Sequence, residues 1–475
     1  MKRYLLILFI IAGILLQITC KNEEPKDNDL PEEETADTPL YKSHTEWSYN
    51  LGMYEVNIRQ YTSEGTFKAF EAHLPRLKDM GVGILWLMPI HPIGEENRIG
   101  SLGSYYSVKD YRDVNPEFGT MNDFKNLVVA IHEQGMFVII DWVANHTAWD
   151  NDLTINYPEF YTKDDNGNFI PPPGTNWSDV IDLDFSNTSM QNHMEDLMKY
   201  WITETGIDGF RCDAVDFVPM SFWSNVIEAL KEVNPGILML AEGDKSTYHT
   251  AGFDITYAWA IHGFESGILK AIYDGSKTAI DLGNYLQRDF NIYSEATYRL
   301  YFTSNHDENS WNGTVFEQFG ESAEAFAVLT HTLHGMPLIY SGQEAGLNKR
   351  LAFFDKDLIN WNDHEFEDLY TKLLHLKKEN KALWNGEAGA RAELITTSND
   401  TSIFAFMREK DEYKIFGAFN LSVTEQTFIL DDGDYTGNYT DVFKDSEISV
   451  ENNHEFTLAA WEYILLELKD MSHMN

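Results

Sequence analysis

The chain has 475 residues, two cysteines and a formal charge of −41. So negative a surface argues against nucleic acid or an anionic membrane face as a partner, because both demand positive potential. Two cysteines exclude a disulfide scaffold, while 43% hydrophobic and 23% charged residues describe a globular protein long enough for two or three structural units.

In chain order, residues 1–19 read as an export signal. Met1-Lys2-Arg3 is basic, Tyr4–Ile18 is an apolar run short for a bilayer span, and Thr19-Cys20 follows. A cysteine directly after a small residue resembles a bacterial lipoprotein processing site. That resemblance implies lipidation at Cys20; the alternative is an ordinary signal peptide with an incidental cysteine. Cys20-Lys-Asn-Glu-Glu also resembles the acidic surface-export signals of outer-membrane lipoproteins, which implies an outer-membrane anchor and exposure at the cell surface. Residues 20–46 then form an acidic tether. Lys21 to Asp37 holds eight acidic and two basic residues, with too little apolar surface to bury a core.

From Trp47, short β-rich runs alternate with amphipathic helical stretches. The strands expected are 55–61, 84–89, 137–143, 209–214, 237–243, 254–261, 298–305 and 336–342. The helices expected between and after them are 66–81, 124–135, 189–206, 220–233, 280–293, 322–334 and 366–379. Eight strand-led units predict a (β/α)₈ TIM barrel over residues 47–382. The structural competitor is a doubly wound open sheet, but no glycine-rich phosphate turn follows the first strand. The long stretch 147–188, with Pro171-Pro172-Pro173-Gly174 in it, predicts a small excursion domain after strand three. From Leu383 the pattern changes to short alternating runs such as SIFAFMRE and YKIFGAFNLS, which predict a C-terminal antiparallel β-sandwich domain over 383–470.

Active sites of such barrels form at the C-terminal mouths of the strands. Here strand three ends in Asp141-Trp-Val-Ala-Asn145-His146, strand four in Arg211-Cys-Asp213, strand five in Glu242-Gly-Asp244, and strand seven in Asn305-His306-Asp307. A lone Asp after a strand is most simply a helix cap. Four loaded strand ends together exceed what capping requires. Arg211 and Asp213 are two apart on one strand and so face the same way, whereas Cys212 between them points outward as packing.

DWVANH, GFRCDAVDF, LAEGD and FTSNHD resemble, in order, the four signatures of the α-amylase family of glycoside hydrolases (glycoside hydrolase family 13). VIDLDFSN (180–187) resembles its fifth, and LGSYYSVKDYRDVNPEFGT and GMPLIYSGQEAG are similar to further family segments. The resemblance spans about 47–470. It implies that Asp213 is the nucleophile, Glu242 the general acid/base and Asp307 the carboxylate that grips the sugar ring. It also implies that Tyr106, His146, Arg211 and His306 line the subsite of the sugar being cleaved. Calcium-binding members use positions matching Asn145 and Asp182, so a calcium ion is implied there; oxygen donors suit that hard cation. KDDNGNF (163–169) reads equally as a ligand loop and as a turn built on Asn166-Gly167. No organic cofactor is implied.

The chemistry asks for these residue types independently. Retaining glycoside hydrolysis needs two carboxyls about 5–5.5 Å apart, one attacking and one protonating the leaving oxygen. A guanidinium 4 Å from Asp213 would hold it ionised by about 4 kcal/mol at an effective dielectric near 20, while Glu242 among other carboxylates is expected to have a raised pKa. One departure stands out. Many endo-acting members carry Lys-His three and four residues after the nucleophile; this chain has Asp216-Phe217. The leading expectation is a retaining hydrolase of starch-like α-1,4-glucans or maltodextrins. The alternatives are an exo-acting α-glucosidase or transglycosylase on short malto- or isomalto-oligosaccharides, and a non-catalytic glycan-binding surface protein. Membership of a glycan-uptake complex is compatible with the first.

Overall fold

The computed structural model describes residues 44–262, 267–431, 433 and 435–469. The export signal, Cys20 and most of the acidic tether lie outside the described residues.

Among the described residues, eight parallel strands close into a barrel. In chain order they are Met53–Val56, Ile84–Leu87, Phe137–Trp142, Gly209–Cys212, Leu238–Ala241, Ile255–Tyr257, Tyr298–Tyr301 and Met336–Tyr340. The ring closes where the first strand pairs with the eighth, Tyr54 beside Ile339. Period-two alternation explains the two layers. Met53, Trp86, Ile139, Leu240, Tyr257 and Leu300 fill the interior. Their neighbours, among them Tyr54, Leu85, Ile140, Phe210 and Met239, pack outward against the helices. Cys212 lies in this outer layer, buried and unbridged, as its parity requires.

Gly209 begins the fourth strand for a steric reason. A Cβ there would stand 2.1 Å from the Leu238 carbonyl oxygen, so only glycine lets the fourth and fifth strands meet.

Three expected elements differ in extent. The strand expected over 55–61 stops at Val56, and Ile58–Tyr61 is a helical turn. That turn tucks Arg59 and Gln60 inward, where they donate to the carbonyls of Leu102, Gly103, Ala352 and Asp355. The helix expected over 66–81 is two, Phe67–Glu71 and Leu74–Met80. Pro75 falls in the first turn of the second helix, where its missing N–H costs nothing. The strand expected over 254–261 ends at Tyr257, and Trp259–His262 is a helical turn.

The excursion after strand three is held by an antiparallel pair, His146–Ala148 with Val180–Asp182. Its 163–169 segment is a turn: Asn166 and Asn168 N–H groups both donate to Asp164 Oδ1, and Gly167 has φ +82°. Among the described residues, the C-terminal domain has a six-stranded antiparallel sheet and a two-stranded one, Gln426–Ile429 with Glu455–Leu458. The sheets share a core in which Phe416 stacks on Phe456.

Arg408 sews this domain to the barrel. Fully buried, it donates to the carbonyls of Thr332, Leu333, Trp384 and Ala390 at 2.7–3.0 Å. No helix among the described residues is long and apolar enough to cross a membrane.

Candidate active site

The strand mouths bring the expected residues together. Tyr106, His146, Asp213, Glu242, His306 and Asp307 line one cavity of about 670 Å³, and Arg211 lies beneath it, fully buried. Alternation on the fourth strand turns Arg211 inward, and the strand's end carries Asp213 to the cavity floor.

Arg211 serves more than Asp213, and here the sequence reading is corrected. Its Nη1 donates to Asp213 Oδ1 at 3.1 Å but also to both oxygens of Asp141, at 2.9 and 3.1 Å. Its Nη2 stands 2.7 Å from Glu242 Oε1, an ion pair whose angle falls outside hydrogen-bond geometry. The ring faces of Trp86, Tyr106 and Tyr257 surround the guanidinium at 5.1–6.0 Å. One cation thus answers three carboxylates. Burial, and then the charge of Glu242, push the Asp213 carboxyl well above the usual range against the pull of Arg211. The direction is opposite to the one an exclusive Arg211–Asp213 pair would give. Asp141 is likewise raised by burial, to about 6, with Arg211 and His306 opposing.

The network continues without a gap. Asp141 Oδ2 accepts from Trp86 Nε1 at 3.2 Å and from the Tyr106 hydroxyl at 3.1 Å. That hydroxyl also lies 2.8 Å from His306 Nε2. His306 Nε2 is 3.3 Å from Asp307 Oδ2, and its Nδ1 pairs with Glu55 Oε1. Burial alone would lower the His306 pKa, but the carboxylates of Asp307 and Glu55 raise it to about 9. His306 is therefore an imidazolium at neutral pH, with both ring nitrogens donating. His146 is the opposite case: burial lowers its pKa to about 4, so the ring is neutral. Asn145 Nδ2 lies 3.3 Å from its Nδ1, and a hydrogen bond to the Tyr106 backbone opposes the effect of burial.

Glu242 is fixed by a second contact. Its Oε2 accepts from the Ala214 N–H at 2.7 Å, and Ala214 holds a left-handed φ of +45° to present that group. The residue after the nucleophile thus holds the acid/base carboxyl.

The sequence reading named Asp141 at the end of strand three without giving it a role, and it missed Glu55, Trp86 and Tyr257 as parts of this centre. Asp141 and Glu55 had a legible signal, a carboxylate at the inward-facing end of an apolar strand. Asn145 and Asp182, expected around calcium, lie outside the cavity lining; the Leu183 N–H donates to the Asn145 carbonyl, and Asp182 pairs in register with His146. Among the described residues, no group of three or more His, Cys, Asp or Glu is placed to hold a metal ion. No step is routed through calcium.

The family profile described as α-amylase, catalytic domain, matches residues 42–393. The chain belongs to the α-amylase family. This α-amylase-family chain is 26% identical over 494 aligned residues to α-amylase 3 of Dictyoglomus thermophilum, covering 90% of itself and 91% of that relative. It is 28% identical over 445 residues to the cyclomaltodextrin glucanotransferase of Bacillus licheniformis, covering 82% of itself and 60% of that enzyme. Among solved structures, the maltogenic α-amylase AmyB of Thermotoga neapolitana and an α-amylase of Lactobacillus plantarum each superpose with a TM-score of 0.79 at 29% identity. They cover 88% and 89% of this chain, and 99% of each neighbour is matched. The family's barrel, its C-terminal sheet domain and a glycoside hydrolase's chemistry are thereby this chain's own.

Proposed function

We propose that this amylase-family protein is a retaining hydrolase of α-1,4-glucans, acting on starch-like polymers or maltodextrins. The observation that carries the reading is that the guanidinium of Arg211 contacts both Asp213 and Glu242 while the Ala214 N–H ties Glu242 to the nucleophile's own chain. Two carboxyls so tethered suit double displacement better than the wider pair, about 6.5–9.5 Å apart, that an inverting enzyme needs.

In the first step an Asp213 oxygen attacks the anomeric carbon. The proton on Glu242 passes to the glycosidic oxygen, that carbon–oxygen bond breaks, and a glycosyl ester forms on Asp213. In the second, Glu242 takes a proton from water, whose oxygen attacks the anomeric carbon and releases Asp213. Five carboxyls (Glu55, Asp141, Asp213, Glu242 and Asp307) stand against two cations, Arg211 and His306. The excess favours retention of one proton in the cluster, and the upward push on Asp213 is its signature. Attack requires that proton on Glu242. Asp307 and the imidazolium of His306 face the ring hydroxyls that an oxocarbenium-like transition state brings closer.

A time course on maltoheptaose, amylose and pullulan tests the reading, with products resolved by length and anomeric form. Mid-length products released as the α-anomer are expected, and Asp213→Asn should lower turnover by at least about a thousandfold. β-Anomeric products, or wild-type turnover by that variant, refute it. The transferase among the relatives makes transfer to a sugar acceptor the second reading; it predicts products longer than the substrate.

We infer also that the chain is exported and lipid-anchored at Cys20. The basic start, the apolar run and the following cysteine support this. Labelled fatty acid should enter the wild-type chain in bacteria and not Cys20→Ala; equal labelling of both rules it out.

A further inference from the structure

Strand five ends in Glu242-Gly243-Asp244, and the mechanism uses only the first of the three. Asp244 takes no part in lining the cavity. Its carboxylate meets a second buried arginine, in the outer layer of the barrel wall. Arg299 lies on strand seven between Tyr298 and Leu300, both interior, so parity sends it outward. It passes behind strand six, where Nη1 donates to Thr256 Oγ1 at 2.6 Å, and Nη2 donates to Asp244 Oδ1. The Tyr293 hydroxyl donates to the same Asp244 oxygen at 2.9 Å, and its ring covers the guanidinium at 3.8 Å. Asp289, on the helix Ala279–Ile292, places Oδ2 3.4 Å from Arg299 Nε. A cation as deeply buried as Arg299 is costly unless carboxylates answer it. Asp244 and Asp289 are the two that do.

This grip bears on the residue two positions back. The Glu242 N–H donates to the Cys212 carbonyl on strand four, and the Gly243 carbonyl accepts from the Tyr257 N–H on strand six, both at 3.0 Å. Gly243 is wedged: a Cβ there would meet the Tyr248 ring at 2.5 Å and Val215 at 2.8 Å. Beyond it, Lys245 pairs with Asp216 at the rim, but the two side chains are 60% and 47% exposed. An ion pair so wet contributes little. Asp244 is therefore the buried anchor of the loop. What that anchor protects is exacting, because the Glu242 carboxyl meets the Ala214 N–H and Arg211 Nη2 at once, each at 2.7 Å. Misplacing a reacting group by about 1 Å costs about a hundredfold in rate.

Resting on the hydrolase reading above, we propose that Asp244, gripped by Arg299 and Tyr293, is the positioning residue of the general acid. It fixes the loop that aims Glu242 at the departing oxygen, and it touches no substrate itself.

The test compares phenyl α-maltoside with α-maltosyl fluoride. Phenolate needs the proton of Glu242 to depart, whereas fluoride leaves with little help. Asp244, Tyr293 and Arg299 do not line the cavity, so a difference between the two substrates reports on Glu242. In Asp244→Asn the ratio of kcat/KM on the phenyl glycoside to that on the fluoride should fall about tenfold from wild type, part of the hundredfold or more that a general acid contributes. Tyr293→Phe keeps the ring over Arg299 and deletes one donor to Asp244, so its ratio should fall about threefold; it stands in should Asp244→Asn not fold. Glu242→Gln should show the same selective loss in full. A ratio within about twofold of wild type in Asp244→Asn, or in its stand-in, overturns the assignment whatever the absolute rates, since a poorly folded variant loses both substrates alike. Two other outcomes strike the reading beneath it. Wild type inert toward both substrates overturns the hydrolase, and Glu242→Gln losing both equally removes Glu242 as the acid; either takes this assignment with it.

Discussion

Replacing Glu55 by glutamine removes one of the two carboxylates that keep His306 protonated. The rise of the imidazolium pKa from 6.5 to about 9 corresponds to about 3 kcal/mol of net coupling to its surroundings. The groups facing the ring are Glu55 and Asp307, which raise it, and Arg211, which lowers it, with Tyr106, Asp141 and the edge of Trp86 completing the shell. Because the folded pKa lies above the unfolded one, the stabilisation is fully present below pH 6.5 and is lost as pH rises through about 9. Glutamine keeps the acceptor oxygen and the shape but deletes the charge. The upward push exceeds the net rise because burial opposes it, so if Glu55 supplies about half of that push, the His306 pKa falls by more than about one unit. The assay is the pH dependence of kcat/KM on maltoheptaose. Wild type should show an alkaline limb near pH 9, and Glu55→Gln one below about pH 8, with the alkaline fall in unfolding temperature moving by the same amount. Alkaline limbs that coincide in the two proteins would refute the argument that a charged His306 is held by Glu55.

Asp141→Asn breaks a buried pair and turns an amide donor toward Arg211 or toward Trp86 and Tyr106. Its expected cost is about 3–5 kcal/mol, read as a fall in kcat on maltoheptaose of at least about a hundredfold; a loss under about threefold would show that Asp141 is a bystander. Arg408→Leu strands four buried carbonyls far from the chemistry. The unfolding midpoint should drop by about 5 °C or more, measured calorimetrically, while kcat/KM of the folded enzyme stays near wild type.

The barrel was legible because its strands are short, mainly apolar runs, buried on both faces, that lead into polar residues. VIIDW is one such run and GFRCD another. The same property exposed most of the site, since a charge at the end of a buried strand has few reasons to be there other than use. Legibility failed where an element's identity is set by distant partners. Residues 57–61 have strand-like composition, yet form a turn because Arg59 and Gln60 find carbonyls far along the chain. The short strands Gly437–Asp441 and Glu455–Leu458 bury only alternate residues, too few for the apolar pattern to register. Arg211 was read as the partner of Asp213 because the two are adjacent on a strand. Asp141 and Glu242 come from flanking strands, and only barrel closure reveals them as rivals for the same guanidinium. The meeting of Asp216 with Lys245 is of the same kind.

The contact between Glu55 and His306 joins residues 251 apart in sequence. Synthesis proceeds from the N-terminus, so the ribosome delivers Glu55 long before the residue that neutralises it. Until strand seven docks, the first strand carries a carboxylate destined for burial with no counter-charge, which disfavours early capture of that strand in a compact half-barrel. A nascent chain stalled before residue 306 should therefore remain loose at its first strand and open to proteases.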